Sequence, residues 1–97
     1  MKIVWSPLAL ERVNDIADYI AETSAEAAKV WLIDVFGAVD RLQEFPESGR
    51  VVPEVNRPNI RELVFKNYRV IYRVGRKQVS ILTVRHGKQR LPVKEIR

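Results

Sequence analysis

The 97-residue chain has no cysteine. Disulfides and thiolate metal sites are therefore excluded, and the composition is compatible with a reducing cytoplasm. Histidine occurs once, at His86. A single imidazole cannot build a zinc site without carboxylate help, so neither a metal nor a cofactor is expected. No apolar run approaches the roughly 20 residues that span a bilayer. The first residues also lack the basic and apolar regions of a signal peptide. The expectation is a cytoplasmic protein with no membrane partner. There is no glycine-rich phosphate loop. Ser6, Ser24, Ser48 and Ser80 fit caps, turns or strands, and none sits in a nucleophile elbow. The carboxylates fall mostly on helix surfaces, which argues against a glycosidase-like acid pair.

What is present reads as one soluble domain over residues 1–97, with 46% hydrophobic and 8% aromatic residues. The net charge of +5 conceals a split. Residues 1–48 carry four Lys/Arg against nine Asp/Glu, whereas residues 49–97 carry thirteen against three. Two differently charged surfaces follow. Phosphate backbones and acidic protein segments both suit the basic one.

Residues 2–5 are short, apolar and β-branched, and predict a strand. Ser6-Pro7 supplies a helix cap and a first-turn proline. Leu10, Val13, Ile16, Ala17 and Ile20 then recur at helical spacing to about Ala21. Thr23 and Glu26 have the spacing of a capping box for a second helix running to about Glu44. Phe45-Pro46 stops it. Residues 46–59 read as a loop, and strands follow at about 60–65, 68–74 and 78–84. The expected fold is α+β, with an N-terminal strand at a sheet edge and a helical hairpin packed on one face of an antiparallel sheet.

The segment 61–74 is the most informative. Closing a hairpin at Lys66-Asn67 pairs Phe65 with Tyr68, Val64 with Arg69 and Glu62 with Ile71. Alternation puts Leu63, Phe65, Tyr68, Val70 and Tyr72 on one face, inward. Trp5 and Trp31 are expected to join that core. Ile60, Glu62, Val64, Arg69, Ile71 and Arg73 share the other face. It reads as an exposed apolar strip edged by arginines, with Glu62 pairing to Arg69 or Arg73 across the hairpin.

Ile-Val-Trp-Ser-Pro-Leu-Ala (3–9), Glu-Phe-Pro-Glu-Ser-Gly-Arg (44–50), Tyr-Arg-Val-Ile-Tyr-Arg-Val (68–74) and Val-Arg-His-Gly (84–87) occur in that order. Together they resemble the RelE/ParE superfamily of small bacterial toxins, encoded beside a neutralising antitoxin. The resemblance implies a type II toxin with plasmid-stabilising or growth-inhibiting activity, held in a hetero-oligomer with its antitoxin. One branch cuts mRNA on the ribosome. Arg69 matches that branch, but Ile60 and Glu62 stand where the nuclease has lysines. Gln89 replaces a basic position, and no tyrosine follows Tyr72. Arg61-Glu62-Leu63, residues 68–73 and His86-Gly87 look more like the ParE branch, which traps DNA gyrase without known catalysis. The resemblance thus implies no catalytic set. Were the chain a nuclease, Arg69, His86 and Lys88 would carry the chemistry. His86 is open to two readings, as a general base or as a strand-end histidine before a turn. A third reading, a non-toxic nucleic-acid-binding module, rests on charge alone.

Antitoxin or target contacts are expected at Glu62, Val64, Arg69, Ile71, Arg73, Arg85, His86, Lys88 and Arg90. The antitoxin should lay apolar side chains on Val64 and Ile71 and acidic ones near Arg69, Arg73 and Arg85. The basic tail, about 85–97, is expected to serve poisoning and to be dispensable for folding. The alternative is that Leu91, Val93 and Ile96 form a further strand or pack on the core, in which case truncation would unfold the chain.

Overall fold

The structure is a computed structural model and describes residues 1–96. Strand β1 (Lys2–Trp5) leads into helices α1 (Pro7–Ala21) and α2 (Ala25–Asp40). Strands β2 (Arg50–Val51), β3 (Ile60–Phe65), β4 (Tyr68–Val74) and β5 (Gln78–His86) follow. The sheet order is β1-β5-β4-β3-β2. β1 lies at one edge, parallel to β5, and the other neighbours are antiparallel. The hairpin closes in the expected register, with Phe65 opposite Tyr68 and Glu62 opposite Ile71. Lys66 turns it with φ of 54°.

Ser6 ties the first helix to the sheet. Its Oγ accepts from Ala9 N–H as the N-cap and donates to the Leu82 carbonyl at 2.9 Å. Leu82 is the extra residue of a β-bulge, since Ile71 faces Thr83 while Tyr72 faces Ile81. The bulge turns that carbonyl out to meet Ser6.

Two expected helix signals are corrected. Ser24, not Thr23, caps α2: its Oγ accepts from Ala27 N–H at 3.1 Å and its carbonyl accepts the first helical bond, from Ala28 N–H. The α-helix stops at Asp40, and residues Arg41–Gln43 tighten into a 3₁₀ turn before Pro46.

The helices cover one face of the sheet. Val13, Ala17, Trp31, Val35 and Val39 meet Val70, Tyr72, Val79, Ile81 and Val84 there. Trp5 packs on Phe36 with ring centroids 5.0 Å apart. Gly49 passes close over the buried Tyr72, whose hydroxyl accepts from Gly49 N–H at 2.9 Å. A Cβ at Gly49 would lie 2.5 Å from that hydroxyl and from the Glu62 carbonyl, so only glycine fits.

The second face overturns an expectation. Ile60 and Ile71 are fully buried, not an exposed strip. With Leu82 they form a second small core, closed by Val52 from the loop and by Leu91 and Ile96 from the C-terminal segment. Three adjacent aliphatic side chains are too apolar to leave in water, and the loop and tail supply the missing cover. The tail is likewise not a solvated arm. Arg85 and His86 belong to β5, and the segment beyond folds back across the sheet through a 3₁₀ turn at Val93–Glu95.

Candidate functional site: a neutralised arginine face and an open cleft

Arg69 lies at the centre of the second face, with its side chain 8% exposed. Its Nη1 and Nη2 each donate to one oxygen of Glu54 at 2.8 Å, a bidentate fork. Its Nε donates to Glu62 Oε1 at 2.7 Å. Glu62 is itself buried and also accepts from Arg50 Nε. The cross-strand register Val64–Arg69 and Glu62–Ile71 places these groups side by side. The hydrogen bonds from Arg69 hold the Glu54 carboxyl down to about 2, from an ordinary 4.5. The same bonds push the guanidinium above its usual range.

A pH dependence follows from Glu54. Its folded pKa lies below its unfolded value, so its contribution is present above about pH 4.5 and is lost as pH falls toward 2. The expected result is a fall in stability across that window, partly flattened in Glu54→Gln. The group is 38% exposed, so solvent screening keeps the effect modest. Urea unfolding at pH 6, 4 and 3 checks it.

A second cluster pins the tail. Glu95 accepts from Thr83 Oγ1 at 2.7 Å and pairs with Arg12 and Arg85, both at 3.3 Å. Arg73 Nη2 donates to the Ile96 carbonyl at 2.7 Å. The sequence expectation placed Arg73 and Arg85 at an exposed rim. Instead they hold the C-terminal segment, which the high charge density of the tail concealed.

Of the nine expected contact residues, Glu62, Arg69 and Ile71 are buried and cannot form an open surface in this structure. Arg73, Arg85 and His86 are half-buried. Val64 (60% exposed), Lys88 and Arg90 are free to meet a partner. His86 packs edge-on against Tyr68 at 5.4 Å. Its Nδ1 accepts from Lys88 N–H at 3.2 Å, so the neutral ring carries its hydrogen on Nε2. The lone pair on Nδ1 is thereby engaged within the turn that follows β5.

Between α1 and the distal half of β5 lies a cleft of about 420 Å³. Arg12, Asp15, Ile16 and Tyr19 line one side, and Tyr68, Arg85, His86 and Gln89 the other. The sequence reading missed Arg12, Tyr19 and Glu95. Arg12, Asp15, Ile16 and Tyr19 do share the i, i+3, i+4, i+7 spacing of one helix face. That signal was legible, but not that the face looked onto a strand edge. Among the described residues no group of three or more His, Cys, Asp or Glu could hold a metal. No helix among them is long and apolar enough to cross a membrane.

Residues 3–91 match the family described as the ParE toxin of the type II toxin–antitoxin system parDE. The candidate toxin Y4kP of Sinorhizobium fredii is 38% identical, over 94% of this chain and 93% of that protein. Toxin RelE2 of Caulobacter vibrioides is 35% identical, over 89% and 94%. A solved chain of the chromosomal ParDE TA system from P. aeruginosa superposes with a TM-score of 0.74 at 25% identity, over 89% and 95% of the two chains.

Proposed function

The chain belongs to the ParE toxin family of type II toxin–antitoxin systems, and from that membership we propose that it acts in the cytoplasm by binding and poisoning DNA gyrase, without catalysis of its own. A cognate antitoxin holds it inactive in a hetero-oligomer. The reading drawn from charge alone, a non-toxic nucleic-acid-binding module, gives way to the family assignment.

One observation carries the non-catalytic reading. Arg69, the residue that would face a scissile phosphate in a nuclease, is buried and committed to Glu54 and Glu62. RNA cleavage by 2′-OH attack needs a free cation at the phosphate and a proton acceptor at the ribose. Two carboxylates beside the arginine would repel a phosphate. The Nδ1 lone pair of His86 already accepts from the Lys88 N–H, which leaves that nitrogen less available to take a proton from a ribose. Beyond the described clusters, no tyrosine follows Tyr72 to take the acceptor role.

A second reading, a ribosome-dependent mRNA endonuclease, is favoured by the 35% identity to Toxin RelE2. Expression of the chain alone separates the two. Slowed growth with DNA-damage signalling and intact transcripts is the expected result. Prompt mRNA cleavage within translated codons, with no damage signal, would establish the second reading instead.

A further inference from the structure

On the face away from the helices, the second core covers Ile60, Ile71 and Leu82 but does not reach β1. Alternation along β1 sends Ile3 and Trp5 toward the first core, which turns Lys2 and Val4 to the opposite side. On β5, Val79 and Ile81 belong to that first core, so Gln78 and Ser80 point the same way as Lys2. The parallel register sets Lys2 beside Gln78 and Val4 beside Ser80. Lys2 and Gln78 are exposed, and Gln78 Nε2 donates to Ser80 Oγ at 3.1 Å. The β4–β5 turn adds Arg76 and Lys77 at the end of this row, both exposed. Lys2 N–H donates to the Lys77 carbonyl at 3.3 Å, which holds the two residues side by side.

Charge sorts the molecule by layer. Residues 7–43, which form the helical layer, hold three Lys/Arg and seven Asp/Glu. Residues 50–96 hold twelve and three, and those three acids are all committed. Glu54 and Glu62 are held by Arg69, and Glu95 by Arg12 and Arg85. Among the described residues, Lys2, Arg76 and Lys77 make no ion pair. Neighbouring cations with no counter-charge repel one another until an anion comes between them.

We propose that this open corner of the sheet binds the phosphate backbone of duplex DNA, with Lys2, Arg76 and Lys77 on phosphates and Gln78 beside them as a neutral donor. Such contacts position a protein on DNA and carry no sequence information, so the binding is sequence-independent. Proteins that hold single strands add aromatic side chains on which bases stack. This corner has none, because Trp5 and Tyr72 of the neighbouring strands turn toward the first core. A protein partner would want a large apolar anchor at the centre of the contact, and the row offers just the half-buried Val4. Gyrase works on duplex DNA, so a toxin that traps it on cleaved DNA would grip the substrate through this corner. That consequence rests on the gyrase reading, whereas binding to DNA alone does not.

The test follows the fluorescence anisotropy of a labelled DNA duplex with the full chain at rising salt. With three phosphates contacted, the logarithm of the binding constant is expected to fall against the logarithm of salt with a slope of about −3. Replacing two of the cations, Arg76→Ala with Lys77→Ala, should weaken binding and bring the slope to about −1. Lys88→Ala with Arg90→Ala removes the same charge at the other end of β5. That strand is nine residues long. At about 3.3 Å per residue the two ends lie roughly 26 Å apart, beyond a Debye length of about 10 Å, so the slope should hold. All four side chains are exposed, and circular dichroism melting should match the parent in both variants.

Equal losses in the two variants would reduce the effect to net charge and overturn the surface. Tighter binding to one strand than to the duplex would overturn it too. An Arg76→Ala, Lys77→Ala chain that binds duplex like the parent but binds gyrase less well would give the corner to an acidic protein instead. No duplex binding by a parent chain that still traps gyrase on plasmid would overturn this surface and leave the gyrase reading standing. Duplex binding with the expected slopes but no trapping would support this surface and overturn that reading.

Discussion

Arg69→Ala is expected to lower the unfolding free energy by about 3–5 kcal/mol, the usual result of removing one partner from a buried ion pair. Glu62 has no side-chain exposure, and after the substitution its charge would be held only by Arg50, itself 61% exposed. Burying a carboxylate with so little compensation is far costlier than losing a surface pair. Glu54 would also lose the bidentate partner that depresses its pKa, so the acid sensitivity described above should largely vanish in this variant. Urea denaturation of the purified variant measures both effects. Lys88→Ala, at an exposed position, serves as the control and should stay within about 0.5 kcal/mol of the parent. A variant that keeps its stability but loses all toxicity would mean that Arg69 works on a target rather than in the fold.

Deleting everything after Gly87 should abolish stable folding. The deletion removes Leu91 and Ile96, which are 4% and 2% exposed. At about 1.5–3 kcal/mol per buried aliphatic side chain, these two alone contribute about 3–6 kcal/mol. Their loss also uncovers Ile60, Ile71 and Leu82, and it strips Glu95 from Arg12, Arg85 and Thr83. A domain of this size has only about 5–15 kcal/mol in total. The expected product therefore melts far below the full chain or does not fold. Leu91→Ala, a milder change, should cost about 2–5 kcal/mol and remain folded. A truncated chain with an unchanged thermal midpoint would restore the sequence expectation of a separable tail.

Why the sequence misplaced the tail is physically instructive. Strands β3 and β4 announce themselves by alternation, and the hairpin register was legible down to the residue pairs. The helical hairpin was equally plain from its 3–4 spacing. Leu91, Val93 and Ile96 carry no such period, and five basic residues around them suggest solvent. What decides their burial is the demand of the opposite face, where Ile60, Ile71 and Leu82 need cover. That demand exists only once the strands are paired. Glu95, the lone acid of the segment, proved to be its anchor, yet its three partners come from α1 and β5 and are far apart in sequence. The site was misread for a related reason. Alternation correctly put Glu62, Arg69 and Arg73 on one face, but it cannot say whether a face is open. The pairing of Glu62 with Arg69 was nevertheless legible, because opposite charges on adjacent strands of one hairpin meet across it.

The proposed mode of action, contact with a target and not cutting, draws its support from Arg69 being held by Glu54 and Glu62. The most direct measurement incubates the purified protein with DNA gyrase, ATP and supercoiled plasmid, and in parallel with ribosomes translating a defined mRNA. Accumulation of gyrase-linked, cleaved plasmid, with the mRNA intact, is the result expected here. Codon-specific mRNA cleavage with gyrase activity unaffected would contradict it.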